Sequence, residues 1–332
     1  MSEATRLTAE SADRLFGEFV TKTVLDEADT GTWPATLWQA VDEAGYTTAW
    51  DDQDRDSRDI ALTLAHRTGW HAAPIPLAET LLARHVLLVG GITPPSGILT
   101  VANPLNLDGP ALDGTRMTGL ARRVPFARNA TAGVVTVVDE AVVLAPASVT
   151  LEGSNMAGEP RDEVAWDNAD VVVGGAFLPE RLLAAGALLR SAEICGGLQH
   201  ALARATQYAT EREQFGRPLG KFQAIQHYLA RIASLSATSE AALSRASASP
   251  DNANIAAAKI CASEAAGDAA TLTHQIHGAI GFTQEHALHH ITKRLWSWRD
   301  EFGAEGWWQE YLGGVVIGAG ADGLWPLVVA DS

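Results

Sequence analysis

The chain has 332 residues, with 24 basic against 40 acidic side chains and a formal net charge of −16. Hydrophobic residues at 47% and charged residues at 19% exclude wholesale disorder, and the length allows two or three domains around a sizeable core. The acidic balance argues against a nucleic-acid partner, which needs a basic face to displace counterions.

Up to residue 92 the pattern is helical. Thr8 opens one helix with a polar cap, and Trp33-Pro34 opens another that Gly45 can close. Ser57 to Gly69 and Leu77 to Leu88 carry apolar residues at helical spacing. From 93 to 178 the pattern changes to short β-branched runs at Ile98–Ala102, Gly133–Val138 and Glu140–Leu144. Turn signals at Pro94-Pro95, Asn106–Gly109 and Glu152–Asn155 separate them. No helix-length segment lies between these runs, which predicts an antiparallel sandwich or barrel rather than βαβ units. From 179 to 332 the chain is helical and alanine-rich. A stripe from Leu182 to Tyr208 is followed by Phe222–Ser247 and Asn252–Ile280, the spacing of an antiparallel bundle. The expected fold is α+β and multidomain, with an N-terminal helical domain (1–92), a middle β-barrel-like domain (93–178) and a C-terminal four-helix bundle (179–332).

Cys195 and Cys261 form no CxxC pair and suggest no disulfide framework. The first residues lack a signal-peptide pattern, and no uninterrupted apolar run reaches the roughly 18 residues of a membrane span, so a cytoplasmic location is expected. Gly318, Gly320 and Gly323 spell a dinucleotide fingerprint, but only nine residues follow, so no βαβ unit fits and a terminal turn or tail is expected. Gly216–Lys221 is one residue short of a phosphate loop, and Phe222 stands where Ser or Thr would hold magnesium. His274, His277, His286, His289 and His290 are closely spaced, yet no HExxH or cysteine completes a tetrahedral set, and no metal is expected. Trp296, Trp298, Trp307 and Trp308 read as core or subunit interface.

The informative stretch runs from Glu211 to Gln226. A helix ends, the chain turns at Gly216 and Pro218, and a new helix starts near Leu219. Arg212 offers a planar guanidinium to a diphosphate or carboxylate, with Gln223 and Gln226 on the following helix. A second element, His274 to Phe282, ends a helix with Gly278 and Gly281, glycines that let backbone amides approach a phosphate or another helix.

Arg212, Phe215, Gly216, Pro218, Leu219, Phe222 and Gln223, together with Gln275, Gly278, Gly281 and Phe282, resemble the two C-terminal motifs of the acyl-CoA dehydrogenases. The resemblance is strongest from Leu189 to Gly303, with a weaker echo from Ala61 to Leu82. It implies FAD as cofactor, an acyl-CoA substrate oxidised at Cα–Cβ, and an electron-acceptor flavoprotein. By the same resemblance Arg212, Gln214 and Phe215 would contact the adenosine diphosphate half of FAD, and Phe222, Gln223, Gln275 and Gly278 would help enclose it. In the family that grip acts across a subunit interface.

The departures concern chemistry. Removing an α-proton needs a carboxylate base, which the family places just before a glycine or early in the first long helix. Those positions fall on Phe302-Gly303 and near Gly186, neither of which can accept a proton. Glu301 and Glu193 are the nearest carboxylates. The family's flavin-shelf motifs are missing from 93–178, where Val124–Ala127 stands instead. The chain thus resembles the shorter, base-lacking subunit of heteromeric actinobacterial acyl-CoA dehydrogenases, paired with a longer, base-bearing paralogue. A self-sufficient homo-oligomer using Glu301 or Glu193, a non-catalytic scaffold, and a flavin monooxygenase on the same fold are the alternatives.

Overall fold

The structure, a computed structural model, describes residues 2–283 and 286–329. Helices α1 (Glu3–Phe19), α2 (Lys22–Asp29), α3 (Ala35–Glu43), α4 (Arg55–His71) and α5 (Leu77–Val89) come first. Oxygens of Ser2, Thr21 and Asp54 accept the otherwise orphaned amides of Thr5, Val24 and Ser57. The Ser2 cap starts α1 at Glu3, so the helix is already formed where Thr8 was expected to open it. Pro34 and Gly45 frame α3 as the sequence indicates.

Two open four-stranded sheets follow, and neither closes into a barrel. Their strands are β1 (Leu99–Val101), β2 (Leu107–Asp113), β3 (Arg116–Pro125), β4 (Gly133–Val138), β5 (Ala141–Ala145), β6 (Val149–Leu151), β7 (Arg161–Asp170) and β8 (Val172–Ala176). One sheet has the order β1-β4-β5-β8 and the other β2-β3-β7-β6. Two expectations need correction. Strands β1 and β4 pair in parallel, because the chain between them leaves to build the β2–β3 hairpin of the other sheet. The turn expected at Asn106–Gly109 ends at Asn106, and Leu107 already begins β2.

Strand β4 is buried throughout. Val135 and Val137 face the helices, while Val134 and Val138 face Met117, Val164 and Trp166 between the sheets. Alternate residues therefore serve two cores, and the order of layers is helices, sheet, sheet. This is why the β4 run reads as continuously apolar.

The C-terminal region holds α6 (Pro179–Glu211), the two-residue strands β9 (Glu213–Gln214) and β10 (Arg217–Pro218), then α7 (Gln223–Ala248), α8 (Asn252–His277), α9 (Leu288–Trp298) and α10 (Glu305–Val329). Its core is rich in alanine, with Ala201, Ala205, Ala262, Ala266, Ala269 and Ala270 fully buried between helices. Helices α4 and α6 meet backbone to backbone. A Cβ on Gly69 would lie 1.9 Å from the Glu193 carbonyl oxygen, and one on Gly196 would lie 1.9 Å from that of His66. This contact ties the N-terminal helices to the bundle and fixes α6 at the centre. Of the turn or tail expected at Gly318–Gly323, the structure has a turn: two helical stretches of α10 meet there across a break at Gly320, whose φ is 70°. No described helix is long and apolar enough to cross a membrane.

Candidate functional site

Both sequence motifs lie at one end of the bundle. Tyr208, in the last turn of α6, stacks on His277, the last residue of α8, with ring centroids 4.4 Å apart. Arg212 caps α6, and its carbonyl accepts the Leu219 amide at 2.8 Å, closing the β9–β10 hairpin. The two turn residues, Phe215 and Gly216, have φ of 51° and 78°, as a tight I′-type hairpin requires. For phenylalanine that conformation is strained, and such strain concentrates at functional segments. The Phe215 ring is 91% exposed at the tip. It meets Phe222 edge-on at 6.1 Å, and the Arg217 guanidinium lies 4.2 Å from the Phe222 ring centre.

Helix α7 starts beside this hairpin, where Gln226 Nε2 donates to the Gly220 carbonyl at 2.9 Å. Gly278 ends α8 with φ 63° and ψ −145°, in open space. Its conformation, rather than crowding, demands glycine. Arg212, Gln214, Gln223 and Gln275 are all exposed, and among the described residues none of their side chains has a hydrogen-bond or ionic partner. The hairpin and the start of α7 thus present Arg212, Gln214 and Gln223 as unpaired polar side chains beside the N-terminus of a long helix, with Gln275 exposed near the end of α8. That combination suits a phosphate-bearing ligand.

At the expected base position the two alternatives from the sequence prove to be one place. The Phe302 ring lies directly over Gly186, where a Cβ would come within 2.2 Å of Phe302 Cδ1. Phe302 is buried, with φ 53°. A cavity of about 330 Å³ opens beside it, walled by Leu105, Arg123, Arg161 and Trp307 among others.

Glu301 is clamped. Arg161 donates to both of its oxygens at 2.7 and 3.0 Å, and Arg190 Nη2 stands 2.8 Å from Oε2. Burial pushes the Glu301 carboxyl up, but the Arg161 and Arg190 charges outweigh it and hold the group at about 2. Such a carboxylate has almost no affinity for a proton at neutral pH. Glu193 is also buried and pairs with Arg190 Nη1, while Arg190 Nη2 reaches Glu79 at 2.6 Å. Burial dominates at Glu193 and, with the neighbouring carboxylates, raises it to about 8 against the pull of Arg190. The network continues through Glu159, which accepts from Arg161 at 3.1 Å and from Trp298 Nε1 at 3.1 Å and lies 3.0 Å from Arg294 Nε. Sequence reasoning missed Glu79, Glu159, Arg161 and Arg190. A signal was available in Arg190 and Glu193, which interrupt the apolar run Leu188 to Ile194 in the middle of a buried helix.

The tryptophans divide. Trp298 and Trp308 are core, Trp308 donating to the Phe302 carbonyl at 3.0 Å, whereas Trp296 is half-buried and stacks on His274. His274 Nε2 lies 2.9 Å from Thr292 Oγ1, and His277 Nδ1 lies 2.8 Å from the Thr273 carbonyl. Burial lowers His277 to about 4, leaving it neutral at physiological pH.

Residues 174–299 match the family model for the acyl-CoA dehydrogenase C-terminal domain. That match covers 126 of the 332 residues. The chain is 40% identical over 108 residues to acyl-CoA dehydrogenase IpdE2 of Mycobacterium tuberculosis, a match covering 32% of this chain and 34% of that protein. The matched stretch is thus about a third of that relative's length. Over the whole chain the acyl-CoA dehydrogenase fold is shared. A Tcur3481–Tcur3483 steroid acyl-CoA dehydrogenase variant superposes with a TM-score of 0.85 at 23% identity, covering 96% of this chain and 99% of the other. The ChsE4–ChsE5 complex of Mycobacterium tuberculosis gives 0.81 at 22% identity, covering 95% and 97%.

Proposed function

We propose that this chain is a subunit of an FAD-dependent acyl-CoA dehydrogenase, gripping the diphosphate of a flavin shared with a longer, base-bearing partner chain. The observation that carries the reading is Phe302 seated over Gly186 at the base position, while Arg212 and its neighbouring glutamines stand exposed and unpaired at the end of the bundle. Phenylalanine cannot take an α-proton, so this chain's own residues leave the proton-abstracting step to a partner.

The donor set fits the anionic half of FAD. Arg212 would meet the diphosphate, Gln214, Gln223 and Gln275 would donate to its oxygens or to the ribose, and Phe215 and Phe222 would lie against the adenosine. Gly278 would let the backbone approach. When bound, the flavin supplies the acceptor for the substrate's β-hydride. The substrate class is an acyl-CoA, and the steroid dehydrogenase among the structural neighbours favours a bulky polycyclic acyl group. An electron-acceptor flavoprotein is the expected redox partner.

A self-sufficient enzyme is the rival reading, and the clamp on Glu301 and the enclosure of Glu193, which does not line the cavity beside Phe302, weigh against it. The test is to purify the chain alone and together with a longer paralogue. Stoichiometric FAD and acyl-CoA oxidation should need both chains, and Arg212→Ala should lower the FAD content of the assembly while the two chains still associate. Flavin and turnover in the isolated chain would overturn the proposal; unchanged FAD in the Arg212→Ala assembly would reduce this chain to a scaffold.

A further inference from the structure

The histidines at the start of α9 have a use that the flavin reading does not absorb. His289 and His290 meet Asp26 of α2, an element the sequence reading did not resolve, and one ligand atom from each of the three residues lies within 4.8 Å of the others. We propose that Asp26, His289 and His290 form a binding site for a borderline divalent cation of the zinc, nickel or cobalt type, clasping α9 to α2.

The tautomers carry the argument. His289 Nδ1 is 2.8 Å from the His286 carbonyl, so it holds the proton and leaves Nε2 as a lone pair. His290 Nδ1 is 3.1 Å from Asp29 Oδ2 and donates in the same way, while Nε2 also faces a carboxylate acceptor, so a cation would have to take the place of the Nε2 proton. Each ring is thus oriented by an oxygen acceptor behind it, one carbonyl and one carboxylate, the support that metal-bound histidines require. His290 Nε2 in turn faces Asp26 Oδ1 at 3.1 Å. Two donors on one tetrahedral cation at roughly 2.1 Å would stand about 3.4 Å apart, so this edge is nearly at bonding geometry before any movement. The Asp26 side chain is 45% exposed and can rotate to close the remaining gap.

Two imidazoles and one carboxylate suit borderline first-row cations better than calcium or magnesium, and they leave at least one position for water. The two carboxylates already have cationic neighbours, since Lys22 bonds the outer oxygen of Asp26 at 2.6 Å and Lys293 and Arg294 approach Asp29 at 3.8 Å, and a bound cation would compete with them. His290 is 1% exposed, so the clasp would reach into the protein rather than decorate its surface. It would anchor the start of α9, immediately beyond the segment that carries Gly278.

The test uses the tag-free full-length chain after chelator treatment, with Co2+ as the spectroscopic probe and Zn2+ as competitor. One equivalent of Co2+ should bring up visible d–d absorption that Zn2+ quenches, with one-to-one stoichiometry by calorimetry. His289→Ala and Asp26→Asn should each weaken binding at least tenfold, with unchanged far-UV circular dichroism. Asp29→Asn, which removes the carboxylate behind His290 and with it an ionic neighbour of Lys293 and Arg294, should weaken it roughly 10- to 100-fold. His227→Ala, at an exposed histidine outside the cluster, should leave it intact. Absence of the cobalt spectrum, or wild-type affinity in both His289→Ala and Asp26→Asn, would overturn the proposal, the latter placing any cation elsewhere on the chain.

Discussion

Replacing Arg190 by leucine tests whether buried charge holds the centre of the molecule together. In the native protein Arg190 is 2% exposed, with Nη1 on Glu193 and Nη2 at 2.6 Å from Glu79 and 2.8 Å from Glu301. After the substitution Glu301 keeps both bonds from Arg161 at 2.7 and 3.0 Å, whereas Glu79 and Glu193 lose their cation. Breaking a buried ion pair by removing one partner costs about 3–5 kcal/mol. For a chain of 332 residues that is a fall in Tm of about 4–7 °C. The cost should depend on pH in a definite direction. Stranded, buried carboxyls bind protons more tightly when folded than the ordinary value of 4.5 for the unfolded chain, and Glu193 is already at about 8 with Arg190 in place. The folded variant therefore holds extra protons, so its stability falls as pH rises from about 4.5 through 8. Melting curves at pH 5, 7 and 8 should show a small deficit against wild type at pH 5 that grows toward pH 8. Adding Glu193→Gln to the variant should recover part of the loss at pH 8. A deficit equal at pH 5 and pH 8, or one below about 1 kcal/mol, would refute the reasoning.

Gly186→Ala should destabilise by about 1–3 kcal/mol, because its Cβ would fall 2.2 Å from the Phe302 ring, and Phe302→Ala should relieve that clash in the double variant when both are followed by thermal melts. Glu301 is held at about 2 in the fold against 4.5 as the ordinary value, so its contribution is complete above pH 4.5 and is lost as pH falls toward 2; acid unfolding of Glu301→Gln should lack that step. In an assembly reconstituted with a base-bearing partner, Glu301→Gln should lower the melting temperature yet leave the rate of acyl-CoA oxidation within about twofold, and loss of turnover at unchanged stability would restore Glu301 as a base. Gly216→Val should strain the hairpin tip at φ 78° and reduce FAD retention in that assembly, as read by flavin absorbance per protein.

What could be read in advance follows from the range of the interactions. Pro34, Gly45, Gly216 and Gly278 act through their own φ and ψ, so they marked helix ends and the hairpin correctly. The long helices were legible because their apolar stripes outlast any turn signal. The parallel β1–β4 pair was not, since pairing across an intervening hairpin is a property of the sheet and not of either strand. The segment Gly318–Gly323 reads as a turn or tail, and the chain does break at Gly320, but helix resumes beyond it, which no local signal announced. At the site, the motif around Arg212 was visible because its residues are close in sequence. The ion network was hidden because Glu79, Arg161, Arg190 and Glu301 come from four separate segments, and the Asp26–His290 pair is hidden for the same reason.

Phe302 over Gly186 and the network around Arg190 are two parts of one substitution. An acyl-CoA dehydrogenase that removes an α-proton needs a carboxylate whose proton affinity can be tuned by a water-poor pocket, and therefore one without a permanent cationic partner. Here Glu301, the carboxylate nearest that place, is shared between two guanidinium groups, and the place itself is filled by a phenyl ring closed over a glycine. Both changes leave the Glu301 carboxylate and the Phe302 position unable to take up a proton near neutrality. The end of the bundle has gone the other way, since Arg212, Gln214, Gln223 and Gln275 are left without partners and Phe215 is held out in a strained conformation. Exposed unpaired donors and backbone strain confer nothing on an isolated chain. Their combination with a closed interior is what the proposed two-chain assembly expects, in which the flavin and the base would belong to a site completed by another polypeptide.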